Sequence, residues 1–147
     1  MIDTDLEVRH AVYEHFVATG EAPTAAGLAS TLGIESQDAV AAFQRLFERR
    51  LLVLAADREQ ILMAPPFSGV PTQHRVIVDG REYFANCAWD ALGIVAALHR
   101  DGLVRSRCEQ SLEPLDIPVH AAGPDPVPCV IHFAVPASLW WRDIVFT

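Results

Sequence analysis

The stretch His74–His99, "HRVIVDGREYFANCAWDALGIVAALH", changes its periodicity once, and that change decides the fold class. "HRVIV" and "REYF" are short runs rich in β-branched and aromatic residues on either side of Asp79-Gly80, a dipeptide suited to the left-handed backbone of a two-residue hairpin turn. From about Asn86 the apolar residues close up into a run that fits a helix reaching His99. Beyond the polar turn "RDG" follow a strand at "LVRSRC", a proline-broken loop, and a further strand at "CVIHFAV". Hairpin, helix and returning strands make an α+β lobe.

Upstream, "APPFSGVPTQ" carries three prolines and Gly69, a linker that cannot be helical. Before it the pattern is different. Leu6, Val12, Tyr13, Phe16 and Val17 mark the apolar side of a first helix, closed by "TGEAP". Thr24 caps a short second helix through Leu32, with Gly33 as its turn, and Ser36 caps a third in which Val40, Phe43 and Phe47 recur at helical spacing. "LLVL" and "QILM" then flank the polar turn "AADRE". Helices followed by a two-stranded wing read as a winged-helix-like lobe. The sequence therefore predicts an α+β protein with an N-terminal lobe over residues 1–64 and a second lobe over 65–147.

Composition bounds what these lobes do. A chain of 147 residues that is 51% hydrophobic has enough apolar surface for one domain, or for two small lobes sharing a core. The N-terminus, "MIDTDLEVRH", carries acids where a secretory or mitochondrial leader carries bases, and no apolar run approaches a membrane span, so a soluble cytoplasmic protein is expected. Three cysteines, an odd number, point to reduced thiols and not to a disulfide framework. The net charge of −8 opposes nucleic acid and anionic lipid. Residues 1–56 alone hold eight acids against four arginines, a poor electrostatic footprint for a DNA reader despite the winged-helix pattern.

Within the deciding stretch, "NCAWD" places Cys87 three residues before Asp90, on one face of the helix start. With Asn86 as N-cap, Cys87 falls in the first turn, where free backbone N–H groups and the macrodipole favour a thiolate. Asp90, flanked by Trp89, Leu92 and Ile94, is desolvated enough to hold a proton towards neutrality and so to act as an acid as well as a base. The spacing C-x-x-D also fits a plain structural reading, in which Cys87 packs as a small hydrophobe and Asp90 stabilises the helix N-terminus.

The surrounding words are more specific. "FSGVPTQHRVIVDGREYFANCAWDALGI", followed about ten residues on by "VRSRC", resembles the organomercurial lyase (alkylmercury lyase) family from about Pro65 to the C-terminus. The resemblance implies a winged-helix-like lobe ahead of a catalytic one. It also implies that Cys87 is the first catalytic cysteine, Asp90 the catalytic aspartate and Cys108 a structural thiol. The substrate would be a small organomercurial, with mercury held by Cys87 and Asp90 as substrate or product, because thiolate sulfur is the ligand a soft metal selects. No resident cofactor is implied. Tyr83, Phe84 and Trp89 fit either an apolar pocket for the organic group or plain core.

The match also has a gap. The family's second catalytic cysteine is expected in a C-terminal strand, directly after the end of "WWRDIVFT", and the sequence ends at Thr147. Cys108 and Cys129 do not match its motif. One thiolate and one carboxylate bind a mercurial but cleave it poorly, so a family member that binds a soft metal or small electrophile without catalysis, and regulates through its first lobe, is the competing reading. An apolar strand at the end of the chain also predicts exposed backbone that a missing piece or a partner subunit would cover, an oligomer through that strand.

Other site types find little support. His10, His15, His74, His99, His120 and His132 show no helical ligand spacing, and there is no C-x-x-C pair. His74, beside the hairpin, is the one histidine near the cysteine helix in sequence. "FSGVP" lacks the lysine and the setting of a phosphate loop.

Overall fold

The computed structural model describes residues 3–145. Three helices come first: α1 (Asp3–Thr19), α2 (Ala25–Leu32) and α3 (Ser36–Glu48). A small antiparallel sheet follows, with strand order β1-β2-β3, from β1 (Val53–Leu54), β2 (Ile61–Ala64) and β3 (Phe67–Ser68). A second antiparallel sheet has the order β5-β4-β6-β7-β8, built from β4 (Arg75–Val78), β5 (Arg81–Phe84), β6 (Gly102–Arg107), β7 (Pro114–His120) and β8 (Gly123–Pro124). Helix α4 (Ala88–Leu98) connects β5 to β6, and a 3-10 turn (Ala137–Arg142) lies near the C-terminus. The architecture is α+β, with helices and antiparallel sheets.

The helix ends follow local chemistry. Thr24 accepts the Gly27 N–H on its side chain at 3.1 Å, and Gly33 closes α2 in the left-handed region. The cap of α3 is Glu35, not Ser36; the Glu35 side chain makes no capping bond, and Ser36 is already helical. Helix α1 turns inward a face that shares Val12, Tyr13 and Phe16 with the expected one but is shifted away from Leu6 and Val17. Val8, Val12 and Phe16 are fully buried, while Leu6 and Val17 are exposed. The difference has a polar cause: Asp5 is buried on that face, and both Nε and Nη2 of Arg45 on α3 donate to its Oδ1, at 2.9 and 2.7 Å. An ion pair of this kind needs the helix rotated so that Asp5 faces α3.

The segment expected as a linker does more than connect. Phe67 and Ser68 add the third strand to the small sheet, in register with Ala64 and Met63, and Phe67 also bridges to Ala85 beyond β5. The Phe67 ring stacks on Phe16 of α1 at 5.2 Å and meets Tyr83 of β5 at 5.7 Å. The buried apolar residues form one continuous cluster from Val8 through Phe67 to Val119. Tyr83 belongs to it, and its hydroxyl donates to the carbonyl of Val17 at 3.0 Å.

The second sheet holds two strands that were not expected, β7 and β8, and lacks one that was. Asp79 and Gly80 both take positive φ at the β4–β5 turn, as the hairpin requires. The "proline-broken loop" is in fact partly strand β7, paired with β6 from Gly102↔Val119 to Arg107↔Pro114. Pro118 is accommodated because its carbonyl accepts the Asp125 N–H at 2.8 Å: its polar backbone faces away from β6, so no ladder bond to β6 is lost. "CVIHFAV", by contrast, is not a strand. Val130 is 88% exposed, Phe133 packs on Trp140, and Trp140 Nε1 donates to the carbonyl of Val135 at 2.8 Å. "WWRDIVFT" starts in the 3-10 turn, and its last two residues, after which the second cysteine is expected, lie outside the described residues.

Candidate active site

Hairpin β4–β5 delivers the chain to the start of α4, and the first turn of that helix carries the candidate residues. The N-cap is Cys87 itself, in extended conformation, and Asn86 sits one residue ahead of it. The cysteine sulfur does what a serine oxygen does at other helix starts: it accepts the backbone N–H of Asp90 at 3.4 Å, and it is also bonded by the N–H of Trp89. Cys87 and Asp90 meet through their side chains as well.

The electrostatics differ from the expected thiolate. Burial pushes the Cys87 thiol above its ordinary value; the helix N–H groups of Asp90 and Trp89 pull it down, and the Asp90 charge pushes it up again. Desolvation and a neighbouring carboxylate outweigh the helix terminus. For Asp90 the expectation holds in direction: burial raises its carboxyl, and bonds from the Asn86 and Cys87 side chains partly offset the rise. Burial thus moves both members of the pair in the same direction, towards their protonated forms.

Around the acid the support is polar and short-ranged. Asn86 Nδ2 donates to Asp90 Oδ2 at 3.0 Å and to the carbonyl of Pro66 at 3.2 Å. The hydroxyl of Tyr13, from α1, donates to the neighbouring carbonyl of Pro65 at 2.9 Å, and the Asp90 charge reaches Tyr13. Burial, first of all, raises the Tyr13 phenol above its ordinary range, with Arg9 acting the other way. Sequence reading places Tyr13 on the apolar side of the first helix and Pro65-Pro66 in a linker, and connects neither with the site. No pattern in the one-letter string links position 13 to position 90.

Of the aromatic residues near the site in sequence, Tyr83 is core, whereas Trp89 is 59% exposed in the first turn of α4, beside the cysteine. Phe84 borders a groove of about 610 Å³ lined also by Gly20, Thr24, Asp57 and Gly69; Cys87 and Asp90 do not line it. Cys108 lies apart, at the end of β6, where its sulfur accepts the Ser111 N–H at 3.5 Å; bonds from Ser111 and Gln110 hold its thiol below the ordinary value. Cys129 is exposed. His74 does not join the cysteine helix: its Nδ1 meets Ser106 Oγ on β6 at 2.8 Å, and burial lowers its basicity. Among the described residues no group of three His, Cys, Asp or Glu side chains gathers to hold a metal ion, and no helix is long and apolar enough to cross a membrane.

Fold and site together describe an α+β protein with a thiol–carboxylate pair at the N-terminus of its fourth helix. The chain belongs to the alkylmercury lyase family, whose model matches residues 67–147. Alkylmercury lyases of Bacillus cereus and Clostridium butyricum are each 26% identical to it over 126 residues, covering 84% of this chain and 56% of theirs. The chain thus spans little more than half the length of these relatives. The crystal structure of the mercury-bound form of MerB2 superposes with a TM-score of 0.68 at 25% identity, over 86% of this chain and 60% of that one.

Proposed function

We propose that this chain binds organomercurials of the type R–Hg–X through Cys87 and cleaves the carbon–mercury bond with Asp90 as the acid. The observation that carries the reading is the Cys87–Asp90 contact at the head of α4, inside the part of the chain that the family model matches. Sulfur attack on mercury forms the S–Hg bond and expels X⁻, while the thiol proton passes to Asp90. The electron pair of the C–Hg bond then takes that proton, R–H leaves, and Hg(II) stays on the Cys87 thiolate. Mercury keeps its oxidation state throughout. A carbon leaving group is strongly basic, so a positioned proton donor is what the step requires. The exposed ring of Trp89 supplies an apolar plate for R. In the same reading residues 1–64 are a winged-helix-like lobe, residues 65–147 the catalytic lobe, and Cys108 a structural thiol.

A second reading has its own support. Cys87 and Asp90 stand as a two-group site among the described residues, without a third ligand to complete a mercury clamp. Such a site binds a soft metal or small electrophile and turns it over slowly or not at all. Two variants separate the readings. Cys87→Ser loses tight binding of phenylmercury, because a hydroxyl is a hard and weakly acidic replacement for a thiol. Asp90→Asn binds but releases no benzene, because an amide has no acidic proton to give. Calorimetry and benzene release on both variants and the parent decide the matter: absence of Cys87-dependent binding ends the mercury reading, and rapid multiple turnover by the parent ends the claim that a second thiol is needed.

A further inference from the structure

The side chain of Asn86 is held in a way that the thiol–acid pair does not by itself explain. Its two N–H hydrogens go to two acceptors, the carbonyl of Pro66 and Oδ2 of Asp90. Neither acceptor can donate when Asp90 is ionised, so the amide has one workable orientation; turned over, its oxygen would face a carbonyl and a carboxylate. In that orientation Oδ1 of Asn86 is buried with no hydrogen-bond partner. A buried acceptor left without a donor is a standing cost that an apolar residue at this position would not incur. The gain on the other side is to the acid.

The anchor for this amide is itself braced. Tyr13 of α1 holds the carbonyl of Pro65, and the Pro66 ring lies against Gly93, three residues after Asp90, at 3.6 Å from the place a Cβ on that glycine would take. The Pro65-Pro66 step therefore sits between α1 and α4, and Asn86 transmits its position to the carboxylate.

We propose that Asn86 is a positioning residue for Asp90: by holding Oδ2 it leaves Oδ1 as the oxygen that carries the proton exchanged with Cys87. An N–H donor on one carboxylate oxygen lowers the basicity of that oxygen and stabilises the ionised form. The proton then has one preferred seat instead of two, and the carboxyl one preferred rotation. The inference rests on the reading of Asp90 as the acid, but its consequence for Asp90 can be measured without any mercurial.

The test is the titration of the Asp90 side-chain carboxyl by carbon NMR, assigned through its loss in Asp90→Asn, in the parent, Asn86→Ala and Asn86→Asp. Asn86→Asp keeps the shape of the side chain and turns its donor into an acceptor, so it reads the effect even where the alanine variant folds poorly. The expected result is a higher Asp90 midpoint in Asn86→Ala and a higher one still in Asn86→Asp, with Asn86→Gln returning part of the way. For phenylmercury, benzene release per bound molecule should fall about tenfold or more in Asn86→Ala while binding changes little, since loss of orientation acts on the chemical step. An Asp90 midpoint that moves by less than about 0.3 pH unit in both variants overturns the proposal, because a group in hydrogen bond to a carboxylate must move its titration. Should the midpoint move while the parent releases no benzene, the positioning stands and the lyase reading fails. Should the parent release benzene with the midpoint unmoved, the reverse holds.

Discussion

Cys87 caps the helix that carries Asp90, and the backbone N–H of Asp90 rests 3.4 Å from the Cys87 sulfur. The nucleophile candidate is thus part of the helix start, and any ligand taken by the sulfur competes with the N–H groups that cap α4. Mercury bound at Cys87 should accordingly loosen the first turn, which links the site to the order of the helix.

Cys108, and not the helix-capping Cys87, should be the more reactive of these two thiols. Burial and the Asp90 charge raise Cys87, whereas the Ser111 and Gln110 contacts lower Cys108. Iodoacetamide, followed by mass spectrometry against pH, should label Cys108 with a lower midpoint than Cys87. In Asp90→Asn the Cys87 midpoint should fall, since the carboxylate charge no longer opposes the thiolate. Unchanged Cys87 behaviour in that variant would contradict the coupling.

Asp90 also makes a signed prediction for stability. Its folded carboxyl binds the proton more tightly than the unfolded chain's, whose ordinary value is 3.8. Between the unfolded and folded midpoints the folded chain still holds the proton that the unfolded chain has released, so stability falls as pH rises through that window and is level above it. Asp90→Asn does not titrate. Urea unfolding from about pH 3 to pH 8 should show the variant gaining on the parent through the carboxyl range and holding that gain at neutrality. A gap that stays constant over the series would refute the burial of the charge.

Phe67 contacts Phe16, Tyr13 and Tyr83 at once, so Phe67→Ala removes packing between α1 and the second sheet. A loss of about 3–5 kcal/mol is expected in urea unfolding, as for other fully buried phenylalanines. Gly20→Ala tests the same junction from the backbone. Gly20 has φ +83°, and a Cβ there would be driven into the carbonyl oxygen of Glu82, so the variant should lose on the order of 1 kcal/mol or more. Wild-type stability in either variant would mean that this junction carries little of the fold.

The helical N-terminal part should not bind random duplex DNA with sub-micromolar affinity at physiological salt. Eight acids against four arginines over residues 1–56 leave too few phosphate partners. One of the arginines, Arg45, is already engaged with Asp5. A fluorescence anisotropy titration with a labelled duplex is sufficient; a tight, salt-sensitive complex would be the contrary outcome.

Much of the fold was legible because its signals are local. Asp79-Gly80 marks its own turn, Thr24 its own cap, and the apolar run after Cys87 its own helix. Strand β7 was hidden because proline content says that an N–H is missing, not which way it would have pointed; at Pro118 the missing group faces away from β6. "CVIHFAV" misled for the complementary reason: alternation reports a tendency to be buried, whereas a strand needs an edge to pair with. At the site, the proximity of Cys87 to Asp90 could be read from spacing alone. The direction of the cysteine shift could not, since it depends on burial set by residues far away in sequence. Asn86 was read as a cap for the same reason that Cys87 was not: amides are common caps and thiols are rare ones, yet here the thiol does the capping.

The brace formed by Tyr13, Pro65, Pro66 and Asn86 has a consequence for how such a chain can change over generations. The helix that supplies Tyr13 lies outside the segment that the family model matches, yet its hydroxyl supports the loop on which the acid's amide partner leans. A recombination event that swapped the first sixty-odd residues for another helical unit would keep every residue of the thiol–acid pair and still detune it. On the proposed role of Asn86, position 13 and the residues around position 65 should change together.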